Sequence, residues 1–169
     1  MFSAGDLVVY GGEGVCRVEA IGTSNIRVAD KEKMYYYLAP LYRTGQVMTP
    51  VDTQVLMRPV LSREEAEQLL ALLPELPPQG PEENGMRNAK EHFHAVVSSY
   101  DCPSMAALIK YVSHRRSWAL RHGKKASQME ERYLKRALEQ LYGELAVSLS
   151  MERDAVEAYI QKNYPAWPE

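Results

Sequence analysis

Cysteine is nearly missing from this chain: two residues, Cys16 and Cys102, in a length of 169. They lie far apart and neither belongs to a C-x-x-C pair. That excludes a disulfide framework and points to a reducing, cytoplasmic setting. Long apolar runs are missing as well. No stretch reaches membrane-spanning length and no secretory leader is visible, so no membrane association is expected. Charge of one sign is not in excess either, with 20 Lys and Arg against 22 Asp and Glu and a formal net charge of −2. The chain as a whole therefore gives no electrostatic reason to expect nucleic acid.

Chemistry-bearing constellations are scarce too. The four histidines are His92, His94, His114 and His122. His92 and His94 fall on different faces of a helix, so they lack the i, i+4 spacing that chelates a metal. Gly11-Gly-Glu-Gly14 has no Lys-Ser/Thr ending and joins strand to strand, which makes it a hairpin turn rather than a phosphate loop. No nucleophile and base share a recognisable motif, and Glu64-Glu65 and Glu130-Glu131 each open a helix, where carboxylates are simply stabilising. No cofactor, no metal and no enzymatic activity are expected, and an enzyme with an unrecognised helical site is the weakest reading.

What is present begins at the N-terminus. Leu7 to Tyr10 is a continuous β-prone run, glycines follow, and Val15 to Ile21 resumes with alternating polarity, as a hairpin requires. Strand-like runs at 6–10, 14–21, 34–39, 46–51 and 55–60 suggest a small SH3/Tudor-like five-stranded β-barrel. Composition changes near Arg58-Pro59-Val60. Ser62 and Glu65 then form a capping-box pattern, with Ala66, Leu69, Leu70 and Leu73 at helical spacing. Pro74, Pro77, Pro78, Gly80 and Pro81 end that helix and make a stiff connector. Further helices are expected at about 86–98, from Asp101 to about Trp118, from Ser127-Gln-Met-Glu130 through about Ser148, and near 151–162. The expected class is α+β: a barrel over residues 1–60, then an all-α domain over 61–169. Charge is partitioned differently. Residues 1–60 hold six basic and six acidic side chains, and residues 61–84 one basic and six acidic. Residues 85–169 hold thirteen basic and ten acidic, so positive charge collects toward the C-terminus.

Phe2, Gly5-Asp6, Val8-Val9-Tyr10, Gly14, Val18-Glu19 and Ile21 resemble the N-terminal RNA-polymerase-interaction domain of the CarD/CdnL transcription regulators. Transcription-repair coupling factors carry a related module. Pro50, Arg58-Pro59-Val60 and the pattern Ser127, Glu130, Leu134, Ala137, Leu141, Glu144-Leu145-Ala146 are similar to the same family's layout. The resemblance implies a monomeric regulator that binds the RNA polymerase β subunit. It also implies contact with promoter DNA at the upstream edge of the bubble, stabilising the open complex without sequence readout.

Three segments become candidate sites. The family pairs a barrel edge with the polymerase, and Gln46, Val47, Met48, Thr49 and Pro50 are the expected edge because Pro50 cannot donate in a central ladder. Family members tend to carry basic residues where Ser24 and Met48 stand. Val47 and Val51 are read as packing. Next, Met86 occupies the place where many members wedge a tryptophan into the minor groove, with Arg87 and Lys90 beside it for phosphates. Asn88 and Glu91 stand where basic residues are common. Last, Lys110 to Lys125 holds six Lys or Arg, two His and no acid. Within it Arg115, Arg116, Trp118, Arg121, Lys124 and Lys125 are candidate DNA contacts. The stretch Ala119–Lys125 reads as a basic loop with a short insertion relative to the family. Lys135 and Arg136 read as ordinary surface charge. A chain that keeps the polymerase tether and has lost the DNA contact is the alternative.

Overall fold

A computed structural model describes residues 1–27, 30–81, 86–165 and 167–168, with Met86 and Arg87 described by their helical backbone alone. The chain divides into two compact units, Met1–Val60 and Leu61–Glu169.

The first unit is an antiparallel sheet of β1 (Leu7–Tyr10), β2 (Gly14–Gly22), β3 (Tyr35–Pro40), β4 (Val47–Pro50) and β5 (Met57–Pro59). The order across it is β4-β3-β2-β1-β5. The β1–β2 hairpin pairs Tyr10 with Gly14. Its turn needs φ of +87° at Gly12 and +77° at Gly14, a region in which a Cβ would be strained. Val8, Cys16, Val18, Tyr36 and Leu38 form the core, with Phe2, Tyr10, Ile21, Val47, Val51 and Met57 packed against them. An irregularity between Val18 and Ala20 interrupts the β2–β3 register. Strands followed by helices are as expected. Closure into a barrel is not made by pairing, because among the described residues no ladder joins β4 to β5.

The second unit holds α1 (Arg63–Leu72), α2 (Met86–Ser99), α3 (Cys102–Arg121), α4 (Gln128–Ser148) and α5 (Arg153–Asn163). Leu70, Phe93, Met105, Leu108, Ile109, Leu141, Leu145 and Ile160 fill its core. Ser62 and Glu65 complete the reciprocal capping box of α1. At α4 the box is half-formed: Ser127 accepts from the Glu130 N–H, while the Glu130 carboxylate is turned to Arg115. The Pro-rich connector is strapped to α3. Lys110 donates to the carbonyls of Leu73 and Leu76, the Gln79 N–H bonds the Ala107 carbonyl at 3.2 Å, and a Cβ on Gly80 would overlap the Tyr111 ring.

Glu144 is buried and holds the start of this unit. One carboxylate oxygen accepts from the Leu61 N–H at 3.0 Å and the other from the Cys102 thiol at 3.0 Å. Ser148 donates to the Leu61 carbonyl at 2.7 Å. Helix α3 runs past Trp118 to Arg121. Gly123 at φ +67° and a Lys124 N–H to Ala119 carbonyl bond of 2.8 Å then close it in a Schellman turn. Ala119, Leu120 and Arg121 are therefore helix and not loop. Side-chain chemistry at 119–121 gave no stop signal, and Gly123 supplies it two residues later.

Candidate functional site

The phase of the β3–β4 ladder decides which groups of β4 remain open. Val51 donates to the Met34 carbonyl at 3.1 Å, and the register places Tyr36 opposite Thr49 and Leu38 opposite Val47. In an antiparallel pair such residues exchange bonds at alternate positions. Val47, Thr49 and Val51 therefore turn their backbone groups toward β3. Gln46, Met48 and Pro50 turn theirs to the outer edge, where Pro50 has a carbonyl and no N–H. Met48 is the β4 residue that presents both a donor and an acceptor there.

Side chains follow the same alternation. Thr49 is buried, and its hydroxyl accepts from the Tyr10 hydroxyl at 3.0 Å. Val47 and Val51 pack on the core. Met48 is half-buried on the opposite face, in register with Tyr37. Ser24 is buried and its hydroxyl accepts from the Ile26 N–H. Thus Thr49 offers a partner nothing from its side chain, and Ser24 is turned inward.

The opposite edge is blunted. Val60 donates to Leu7 and Gly11 to Leu56, so Met57 and Pro59 face outward on β5. Pro59 has no N–H, and its carbonyl accepts from the Arg58 guanidinium at 3.0 Å. Of the two edges, β4 is the longer and keeps more of its outward backbone groups open.

The second candidate surface lies on the helices. Arg115 pairs with Glu130 at 2.9 Å and Arg116 with Glu131 at 3.4 Å. Burial works against the Arg115 charge, and the adjacent Glu130 outweighs it, holding the guanidinium above its ordinary range. Lys110 serves the α1 connector, and its burial lowers its pKa. Trp118 is 46 % exposed. His122 stacks on its ring at 4.2 Å, and the Lys124 ammonium lies 5.0 Å over it. Arg121 bonds the Ser117 carbonyl at 3.3 Å. Lys124 and Lys125 are exposed. The acid-free run is thus partly neutralised by carboxylates from the start of α4.

A different set of cations is brought together by α2 and α4. Lys90, Arg132 and Arg136 line one depression with Met129 and Tyr133, and among the described residues no acidic one lines it. Arg136 lies over the Tyr133 ring at 5.6 Å. Lys90 is one turn from the start of α2, where Met86 and Arg87 are placed as backbone; the side chains expected to wedge and to hold phosphate there lie outside the described residues. Asn88 and Glu91 are exposed on the same helix. Arg132 was not singled out by the sequence, and Arg136 read as plain surface. Their i, i+4 spacing was the available signal, and α2 packing beside α4 gives it meaning. Among the described residues no group of three or more His, Cys, Asp or Glu is placed to hold a metal ion, and no helix is long and apolar enough to cross a membrane.

Residues 2–61 match the family model described as the CarD-like/TRCF RID domain. None of the curated proteins matches the chain. The match covers the first unit and ends one residue past its boundary at Val60. Over those residues the chain carries a CarD-like RNA-polymerase-interaction domain.

Proposed function

We propose that this protein is a cytoplasmic, monomeric and non-enzymatic transcription regulator that binds the RNA polymerase β subunit through the β4 edge and contacts promoter DNA through its helical unit. The sheet is read as an SH3/Tudor-like barrel presenting that edge. The open N–H and C=O of Met48 carry the proposal, because β-strand addition takes its affinity from such unpaired backbone groups. The DNA contact is assigned to backbone phosphates at Lys90, Arg132 and Arg136, with Arg87 alongside and Met86 at the upstream edge of the bubble. Arg121, Lys124 and Lys125 add positive field, and Arg115 and Arg116 contribute less because Glu130 and Glu131 neutralise them. Contacts to backbone phosphates position a protein on DNA and carry no sequence information. The effect is therefore stabilisation of the open complex without sequence readout.

A tether explains how a chain of net charge −2 uses so small a cationic cluster. Holding the polymerase raises the effective DNA concentration to the millimolar range, so a weak contact suffices. The deciding experiment measures the lifetime of a promoter open complex with bacterial polymerase. The protein prolongs it. Met86→Ala and the combined Lys90→Glu, Arg132→Glu, Arg136→Glu variant shorten it, while both still bind the β subunit. Tight binding of the free protein to duplex DNA at physiological salt would overturn the tethered mechanism. The ion pairs at Arg115 and Arg116 favour a second reading, a polymerase adaptor without DNA contact. An unchanged lifetime in the combined variant selects it.

A further inference from the structure

The turn between α3 and α4 encloses a cavity of about 460 Å³ lined by Trp118, Lys124 and Lys125, and also by Arg115, Ser127 and Glu130. That volume lies within the range of small-ligand sites. Its wall combines an indole with cations, which is the chemistry of a planar aromatic group joined to an anion. Arg115, Arg116, Lys124 and Lys125 line it together with Glu130. Arg115 is paired with Glu130 and Arg116 with Glu131, so the positive charge offered to a ligand comes from Lys124 and Lys125.

The indole is held ready. His122 does not line the cavity. It stacks on Trp118 at an interplanar angle of 23°, and its Nδ1 bonds the Trp118 carbonyl at 2.7 Å, so the ring is fixed from behind. The Schellman turn at Gly123 fixes the loop that carries Lys124 and Lys125. The Lys124 ammonium lies over the indole, where an exposed cation–π contact is weaker than base–aromatic stacking. A stacked base displaces the ammonium, which is then free to meet a phosphate.

We propose that this cavity binds a nucleoside phosphate, with its base on Trp118 and its phosphate between Lys124 and Lys125. The source is either a free nucleotide or an unpaired base of a single strand, and both present the same chemistry. The site is separate from the phosphate contacts at Lys90, Arg132 and Arg136 and does not depend on the polymerase tether.

Titration of the full-length protein with thymidine monophosphate and with a short oligothymidylate tests it, read by tryptophan fluorescence. The chain has two tryptophans. Trp167 is buried against the Tyr142 hydroxyl, so a change on nucleotide addition reports Trp118. Saturable quenching that weakens with salt is expected. In a parallel calorimetric titration, which needs no tryptophan, Trp118→Leu weakens binding by about tenfold or more and Trp118→Phe keeps part of it. Lys124→Glu with Lys125→Glu reduces it further, and the Lys90, Arg132 and Arg136 variant leaves binding of the mononucleotide unchanged. Equal affinity for both probes identifies a free nucleotide as the ligand, whereas preference for the oligonucleotide identifies an unpaired strand. No saturable quenching by either probe, or binding indifferent to Trp118→Leu, overturns the proposal. Because polymerase is absent from this assay, its failure is distinguishable from failure of the open-complex experiment.

Discussion

Cys16 is fully buried between β1 and β3, and burial pushes its thiol from the usual value of 9.0 up to about 11. The neutral thiol suits the core, whereas the unfolded chain ionises it more readily. Its contribution to stability is therefore complete below about pH 9 and is lost as pH rises toward 11. The melting temperature should fall across that alkaline window, and Cys16→Ala should flatten the difference between its two ends. The same environment predicts slow alkylation of Cys16 in the native protein at neutral pH. Lys110 illustrates the opposite use of a polar group. It is a cation inside a basic run, yet its ammonium is engaged by the Leu73 and Leu76 carbonyls. Lys110→Met keeps the stem and removes those bonds, with an expected loss of about 1–3 kcal/mol in chemical denaturation.

At the scale of elements, β4 is specified by which way its backbone points. Met48→Pro removes the outward N–H without touching the ladder to β3, and should abolish binding to the isolated β subunit while the thermal melt stays near that of the parent. Thr49→Pro removes an inward N–H and the bond from Tyr10, and should unfold the first unit instead. A sheet that binds equally well with Met48→Pro uses some other surface. Helix α4 anchors the second unit through Glu144. Glu144→Ala leaves the Leu61 N–H and the Cys102 thiol without their acceptor, and should cost about 2–4 kcal/mol in denaturant unfolding.

For the whole molecule, weak contacts matter only in combination. Charge reversal at Lys90, Arg132 and Arg136 should leave β-subunit affinity unchanged and reduce the salt sensitivity of open-complex lifetime, since each neutralised phosphate contributes about one unit of salt slope. Reversal at Arg115 and Arg116 should act differently. It places acids beside Glu130 and Glu131, so it should lower thermal stability and have a smaller effect on lifetime. The two outcomes, measured on the same promoter, separate contact with DNA from support of the α3–α4 packing.

The order of strands and helices, their caps at Ser62 and Ser127 and the change of character after Val60 were legible from the chain alone. They rest on periodicity, turn glycines and capping side chains that lie within a few residues of each other. The family resemblance was legible for the same reason, since its words fall in short local runs across residues 2–61. Which groups remain available was decided only in three dimensions. Arg115 and Glu130 are fifteen positions apart, so the acid-free run looked fully basic until α4 folded against α3. Arg132 and Arg136 looked ordinary until α2 and α4 brought them to one depression with Lys90. The β4 edge was expected from Pro50, but which of its backbone groups face outward followed from one ladder bond, Val51 to Met34, which set the phase of β4. Local propensity determines elements, whereas ion pairing and strand phase depend on partners distant in sequence.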